Sequence, residues 1–138
     1  MTIRVITLQE PWASLVREGI KTIETRSWPC YQYGSLYIHA GKAVVKKNDS
    51  RRLQLSEMLK EPLKYGNIIA KCQLTDCILI DENFANQVRK NNPKCYSCGD
   101  FSIGRYAWIL SDIQPIDPIP SQGKLGLWFY ESSKELID

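Results

Sequence analysis

Two hydrophobic periods run through the chain, and the switches between them divide it into short strands and shorter helices. Ile3 to Leu8 is an apolar-rich run of strand length and predicts a first strand. Trp12, Leu15, Val16 and Gly19 then recur at helical spacing. Pro11 suits the first turn of that helix, where a missing N–H leaves no bond unmade, and Gly19 suits its C-terminal stop. Lys21 to Trp28 predicts a second strand, ended by Pro29. Tyr33-Gly34 marks a turn. Ser35 to Ala40 predicts a third strand, with Leu36 and Ile38 inward and Tyr37 and His39 on the opposite face.

The second half continues in the same manner. Ser50 is placed to cap a helix whose stripe is Leu55, Met58 and Leu59, and Pro62 and Gly66 interrupt it. Ile68 to Ile80 predicts a long strand, apolar on Ile68, Ala70, Cys72 and Leu74. Asp81 caps a third helix carrying Phe84, Ala85 and Val88, and Asn91-Asn92-Pro93 stops it. Arg105 to Ser111 predicts another strand and Leu127 to Tyr130 a last one. Between them, Pro115 to Pro120 cannot donate a full ladder of hydrogen bonds and is expected at an edge or in a loop. No repeat, low-complexity tract or linker breaks the chain. The expected fold is a single α+β domain over residues 1–138, a small, partly open β-barrel of five or six strands with three flanking helices.

Composition agrees with one packed domain. The chain has 138 residues and is 43% hydrophobic. A domain of that size buries roughly two-thirds of its unfolded surface and folds without staples. The net charge of +3 permits a nucleic-acid partner without demanding one. Its distribution says more. Lys42, Lys46, Lys47, Arg51 and Arg52 crowd together, opposed only by Asp49, while the tail with Glu131, Glu135 and Asp138 against Lys134 is acidic. No stretch reaches the roughly 20 apolar residues of a membrane span. The N-terminus lacks the basic and apolar regions of a signal peptide. Five cysteines, an odd number, then read as reduced thiols of a cytoplasmic protein.

The densest polar run in a strand context is Lys21, Glu24 and Arg26. Parity puts Glu24 and Arg26 on one face with Thr22, and Ile23 and Thr25 on the other. A carboxylate and a guanidinium side by side can pair. Lys21 is out of phase and joins them only if it precedes the strand or a bulge intervenes. On its own such a run is a surface ion pair contributing about 0–1 kcal/mol.

Its neighbours carry more. The run Gln9-x-Pro11-Trp12-Ala13-x-Leu15-Val16-x-x-Gly19-x-Lys21-x-x-Glu24-x-Arg26-x-Trp28 resembles the opening of the ASCH domain, whose hallmark is Gly-x-Lys-x-x-Glu-x-Arg after an N-terminal helix. The resemblance continues in Gly34 to Ala40, Tyr65 to Cys72, Tyr106 to Leu110 and Pro118 to Trp128, in order along nearly the whole chain. It implies a PUA-like barrel that binds RNA or another nucleic acid, or a modified nucleoside, in a cleft beside the N-terminal helix. By resemblance, Lys21, Glu24 and Arg26 are the cleft motif, with Gln9, Trp12 and His39 as neighbours from matching blocks.

Roles can be assigned from side-chain chemistry. Lys21 and Arg26 suit phosphate, unless Glu24 holds Arg26, and Glu24 can instead accept from a base amino group. Trp12 or Trp28 can stack on an unpaired base, and His39 can donate to phosphate or base. Lys42 begins the basic run that extends the surface for a nucleic-acid backbone. The alternatives are ordinary packing: Trp12 lies on an apolar helix face, Trp108 and Trp128 belong to strands, and a lone strand histidine is commonly structural.

Other chemistries find less support. No Gly-x-Ser-x-Gly elbow, phosphate loop or dinucleotide fingerprint occurs. Cys95-Tyr96-Ser97-Cys98 offers half a zinc site, but Cys72 and Cys77 point apart on a continuous strand, so no metal or other cofactor is expected. The rival is an enzyme on the same scaffold. One branch of ASCH proteins resembles amidohydrolases that deacylate a modified cytosine nucleoside, and ASCH-type ribonucleases have been proposed. In the amidohydrolase branch the motif lysine is joined by a threonine, and a carboxylate from a later loop completes the set. This chain has Glu24 at the threonine's position, with Thr25 adjacent, so an enzyme would use Lys21, Glu24 and Thr25. Binding and hydrolysis both stay open on the sequence.

Overall fold

A computed structural model describes residues 1–132. The acidic tail residues Lys134, Glu135 and Asp138 lie outside the described residues, while Glu131 is inside. The strands are β1 (Thr2–Leu8), β2 (Ile23–Arg26), β3 (Gly34–Ala40), β4 (Asn67–Leu79), β5 (Tyr106–Pro120) and β6 (Leu127–Glu131). The helices are α1 (Trp12–Arg17), α2 (Ser50–Ser56), α3 (Glu82–Asn91) and α4 (Pro93–Ser97). The strands form one sheet in the order β2-β5-β4-β3-β1-β6, a curled half-barrel with flanking helices. Among the described residues only β1 and β3 pair in parallel.

The long strands supply the curl. β4 and β5 pair along most of their length, with register shifts between Ile68 and Ala70, Lys71 and Gln73, and Leu74 and Asp76. Each shift bends the ladder and increases its twist. The sheet buries both faces. Leu36 and Ile38 join Ile6, Leu8, Ala13, Val16 and Trp108 in the larger core. Tyr37 joins Ile3, Val5, Ile68 and Trp128 in a second cluster. Helix α1 lies against β1, β3, β4 and β5. Buried Glu10 fixes its start, accepting from Ser14 N (2.8 Å), Ser14 Oγ (2.6 Å) and Lys64 N (2.8 Å).

Several expectations need correction. Asp49, not Ser50, caps α2: its carboxylate accepts from Arg52 N at 3.1 Å, and Ser50 is already helical. Asn91-Asn92-Pro93 does end α3, as expected, but a fourth, unforeseen helix starts there, because Asn92 accepts from Cys95 N and Pro93 sits at the first helical position. Of the two places expected for Pro115 to Pro120, edge or loop, the structure shows the edge: the stretch is the second half of β5 and pairs with β4. β2 covers only Tyr106 to Ile109 of β5, so the proline stretch runs along a free sheet edge where the missing N–H groups cost nothing. The predicted strand Lys21 to Trp28 shrinks to the four residues of β2. Among the described residues no helix is long and apolar enough to cross a membrane.

Candidate functional site

The turn after α1 explains the placement of Lys21. Gly19 takes φ +76°, and the amides of Ile20 and Lys21 both bond to Leu15 O, at 3.0 and 3.1 Å. The chain therefore doubles back against the helix before β2 begins at Ile23. Lys21 is no strand residue, so its failure of parity does not arise. It points inward and is 1% exposed.

The Lys21 ammonium donates to Ile23 O at 2.8 Å and lies 3.2 Å from Glu24 Oε1. An ammonium carries three donors, so one is left without a partner among the described residues. Glu24 is the hub. Its Oε1 also accepts from Thr25 N at 3.1 Å, and its Oε2 accepts from Arg26 Nε at 3.1 Å. Arg26 further donates to Thr7 O at 3.2 Å, tying β2 across to β1.

These groups line a cleft of about 200 Å³ at the end of the half-barrel, together with Gln9 and Trp12 from the start of α1. The far wall comes from distant sequence: Arg51 of α2, the segment Cys98-Gly99-Asp100 after α4, and Arg105 before β5. Thr25 pins that segment, its Oγ1 accepting from Asp100 N at 3.1 Å. Arg105 donates to Thr25 O at 3.2 Å and lies 3.6 Å from Asp100 Oδ2. Arg51 reaches Ser97 O and Gly99 O at 3.4 and 3.3 Å. Hydrogen bonds from Ser102 hold the Asp100 carboxyl below its ordinary range, with Arg105 and Arg51 adding to the effect. Four cations thus face two carboxylates around one opening.

Five of the sequence-predicted residues, Gln9, Trp12, Lys21, Glu24 and Arg26, meet in this cleft, and Thr25 joins them. Trp12 is partly occupied: the Arg52 guanidinium lies 4.8 Å from its ring centroid. Trp28, His39 and Lys42 are elsewhere. Trp28 packs edge-on against Trp108 at 4.9 Å, with Arg26 5.9 Å above its ring. His39 is fully buried, donating from Nε2 to Ser121 O at 2.8 Å and lying 5.6 Å from the Trp128 ring. Lys42 borders a separate depression that shares Gln9 with the cleft.

Asp100 and Arg105 carry no sequence signal for the cleft beyond their charge, and Arg51 stands out only as part of a general basic run. Charge alone does not say which distant loops meet. Cys95 and Cys98 belong to α4 and its C-terminal cap, both buried, and burial pushes the Cys98 thiol up. Among the described residues no group of three or more His, Cys, Asp or Glu is placed to hold a metal.

Comparison with solved structures finds the same architecture. A crystal structure of ASCH from Zymomonas mobilis superposes with a TM-score of 0.59 at 20% identity, covering 93% of this chain and 87% of that one. Two mutant proteins of the same Zymomonas mobilis ASCH give TM-scores of 0.57 and 0.56 at 19% and 20% identity, over 93% of this chain and 89% and 87% of theirs. At such identity the likeness concerns the fold. A comparison with curated proteins gives no match. The ASCH domain family model, however, matches residues 6–120, from within β1 to the end of β5, and the chain belongs to that family.

Proposed function

We propose that this ASCH domain binds single-stranded or modified nucleic acid, receiving one nucleotide in the Lys21 cleft. The observation that carries the reading is the Lys21 ammonium: almost wholly buried, lining an opening, with one donor unspent among the described residues. A buried charge is costly and is normally fully partnered, so an ammonium short of one acceptor suits a phosphate or a base carbonyl. The cationic excess around the opening favours the same anionic partner. The cleft, at about 200 Å³, falls below the roughly 300–1,000 Å³ of ordinary ligand pockets, so one nucleotide part enters rather than a stretch of polymer. ASCH domains are generally thought to bind RNA.

Within this reading, Lys21 and Arg51 meet phosphate or carbonyl oxygen, and Glu24 chiefly fixes Lys21 and Arg26. Gln9 and the open part of Trp12 meet the base. The test is fluorescence anisotropy with a short single-stranded RNA at low salt. A Lys21→Ala, Arg26→Ala double variant that stays folded by circular dichroism is expected to lose roughly tenfold or more in affinity. Binding equal to the parent's overturns the cleft assignment.

A second reading has one specific observation behind it. Lys21, Glu24, Thr25 and the loop carboxylate Asp100 line the same cleft, the group types an amidohydrolase of this scaffold would use. Against it, a general base works best with a pKa near the operating pH. Asp100 is held below its ordinary range, and Glu24 already accepts from three donors. Incubation with N4-acetylcytidine and with labelled RNA, read out by mass spectrometry, decides between them; any enzyme-dependent product favours hydrolysis.

A further inference from the structure

Next to the cleft lies a second depression of about 400 Å³, and Gln9 lines both. Its other walls include Gly41, Lys42, Gln122, Lys124 and Leu125. Gln9 is exposed, and its amide has no hydrogen-bond partner among the described residues. It lies directly against the backbone at Gly41, where an added Cβ would stand 2.9 Å from Gln9 Oε1 and 3.0 Å from Nε2. A bare glycine is what lets the amide sit on the boundary between the two openings. The stem of Lys42 lies along Gly66, its Cε 3.4 Å from where a Cβ would be.

The segment Ser121 to Gly126 forms the outer wall, and it is seated from behind. A chain of donors fixes it: Trp128 Nε1 to Thr7 Oγ1 (3.0 Å), Thr7 Oγ1 to His39 Nδ1 (3.2 Å), and His39 Nε2 to Ser121 O (2.8 Å). The last bond needs the proton on Nε2, which leaves Nδ1 as acceptor. Gly123 rests on the same group, since a Cβ there would come within 2.8 Å of both His39 Cε1 and Thr7 Oγ1. Seated at these two points, the segment presents Lys124 and a wholly exposed Leu125 to solvent. An ammonium beside a presented apolar side chain can meet a phosphate together with the adjoining sugar or base face.

We infer that this depression holds the nucleotide next to the one in the cleft, so that the ligand is an oligonucleotide rather than a free nucleoside. Lys42 and Lys124 take its phosphates, Leu125 covers its sugar or base, and Gln9 stands at the junction. His39 is a positioning residue here, acting through Ser121 and Gly123. The inference rests on the nucleic-acid reading of the cleft and extends it.

The experiment compares uridine 5′-monophosphate with a hexauridylate RNA and a hexathymidylate DNA by calorimetry over a salt series. The parent is expected to bind a hexamer at least tenfold tighter than the mononucleotide, on the order of what one or two added phosphate contacts supply. In a Lys42→Ala, Lys124→Ala double variant the hexamer weakens, its log–log salt slope falls by about 1.4, and the mononucleotide affinity stays as it was. A preference in either sugar series that the double variant loses supports the inference. Equal parental affinity for mononucleotide and hexamers, or an unchanged salt slope in the double variant, overturns it and leaves the cleft reading standing. A parent that binds none of the three overturns both.

Discussion

The Lys21 ammonium and the Glu24 carboxylate stand 3.2 Å apart, the lysine side chain 1% exposed and the glutamate 12%. This pair fixes the shape of the cleft, because the same carboxylate also holds Arg26 and the Thr25 amide. Glu24→Ala would leave Lys21 buried with Ile23 O alone. Stranding a buried charge costs about 3–5 kcal/mol, and the slight exposure of Glu24 points to the lower end. Lys21→Met keeps the stem and leaves Glu24 its other partners, so it is expected to cost less. Urea midpoints at constant m-value measure both. A Glu24→Ala loss under about 1 kcal/mol, the range of exposed pairs, would show that the pair is not sealed from water.

His39 gives the fold a pH dependence of definite sign. Burial lowers its pKa from the ordinary value of 6.5, outweighing the upward effect of the bond to Ser121 O, and Lys42 lowers it further. Below pH 6.5 the unfolded chain therefore takes up a proton that the folded chain resists. The stabilisation is complete above that pH and falls away as the pH drops toward the lower folded value. His39→Gln removes this titration. The expected result is that urea midpoints of the parent decline relative to those of the variant between about pH 7.5 and 5.5. Parallel midpoints would mean that the imidazole is not desolvated.

Much of the fold was legible because local rules and packing agree. Gly19 stops α1, Asp81 caps α3 through Phe84 N at 2.7 Å, and the inward set Leu36 and Ile38 is buried as alternation requires. The site was legible only in part, and the boundary is physical. Gln9, Trp12 and the Lys21–Arg26 motif are close in sequence, and one helix and one turn bring them together. Asp100 and Arg105 reach the cleft only through the packing of α4 and β5, which no local pattern encodes. His39 shows the converse error. It lies in a block resembling the family and is paired in register with Thr7, yet its ring is spent on Ser121 and Trp128 and does not line the cleft.

Gly123 tests the seating of the Ser121 to Gly126 segment without touching any charge. Its backbone φ does not lie in the left-handed region, so alanine is opposed by contact alone. A Cβ 2.8 Å from both His39 Cε1 and Thr7 Oγ1 cannot be absorbed by a flexible side-chain end, since both groups are held in the donor chain from Trp128. Gly123→Ala is expected to destabilise by about 1–3 kcal/mol, as overpacking does. Gly104→Ala provides the contrast, because φ +93° strains it while its added Cβ meets nothing. Only the Gly123 variant should shift the His39 ring resonances in an NMR spectrum. Unmoved resonances would mean that the segment is not seated on the imidazole.

Arg51 separates an electrostatic cleft from a merely charged surface. It reaches the opening from α2, and its hydrogen bonds go to the carbonyls of Ser97 and Gly99, so among the described residues no carboxylate forms an ion pair with it, although Asp100 lies near enough to feel its charge. A guanidinium held by carbonyls rather than by a bound carboxylate leaves most of its charge for an anion at the opening. If it meets one phosphate of a single strand, Arg51→Ala lowers the slope of log affinity against log salt by about 0.7 and weakens binding evenly across sequences. Arg89, on the exposed face of α3 away from the cleft, is the control, and Arg89→Ala should leave the slope unchanged. Equal slope changes in the two variants would mean that the protein's general charge, rather than the cleft, draws the nucleic acid.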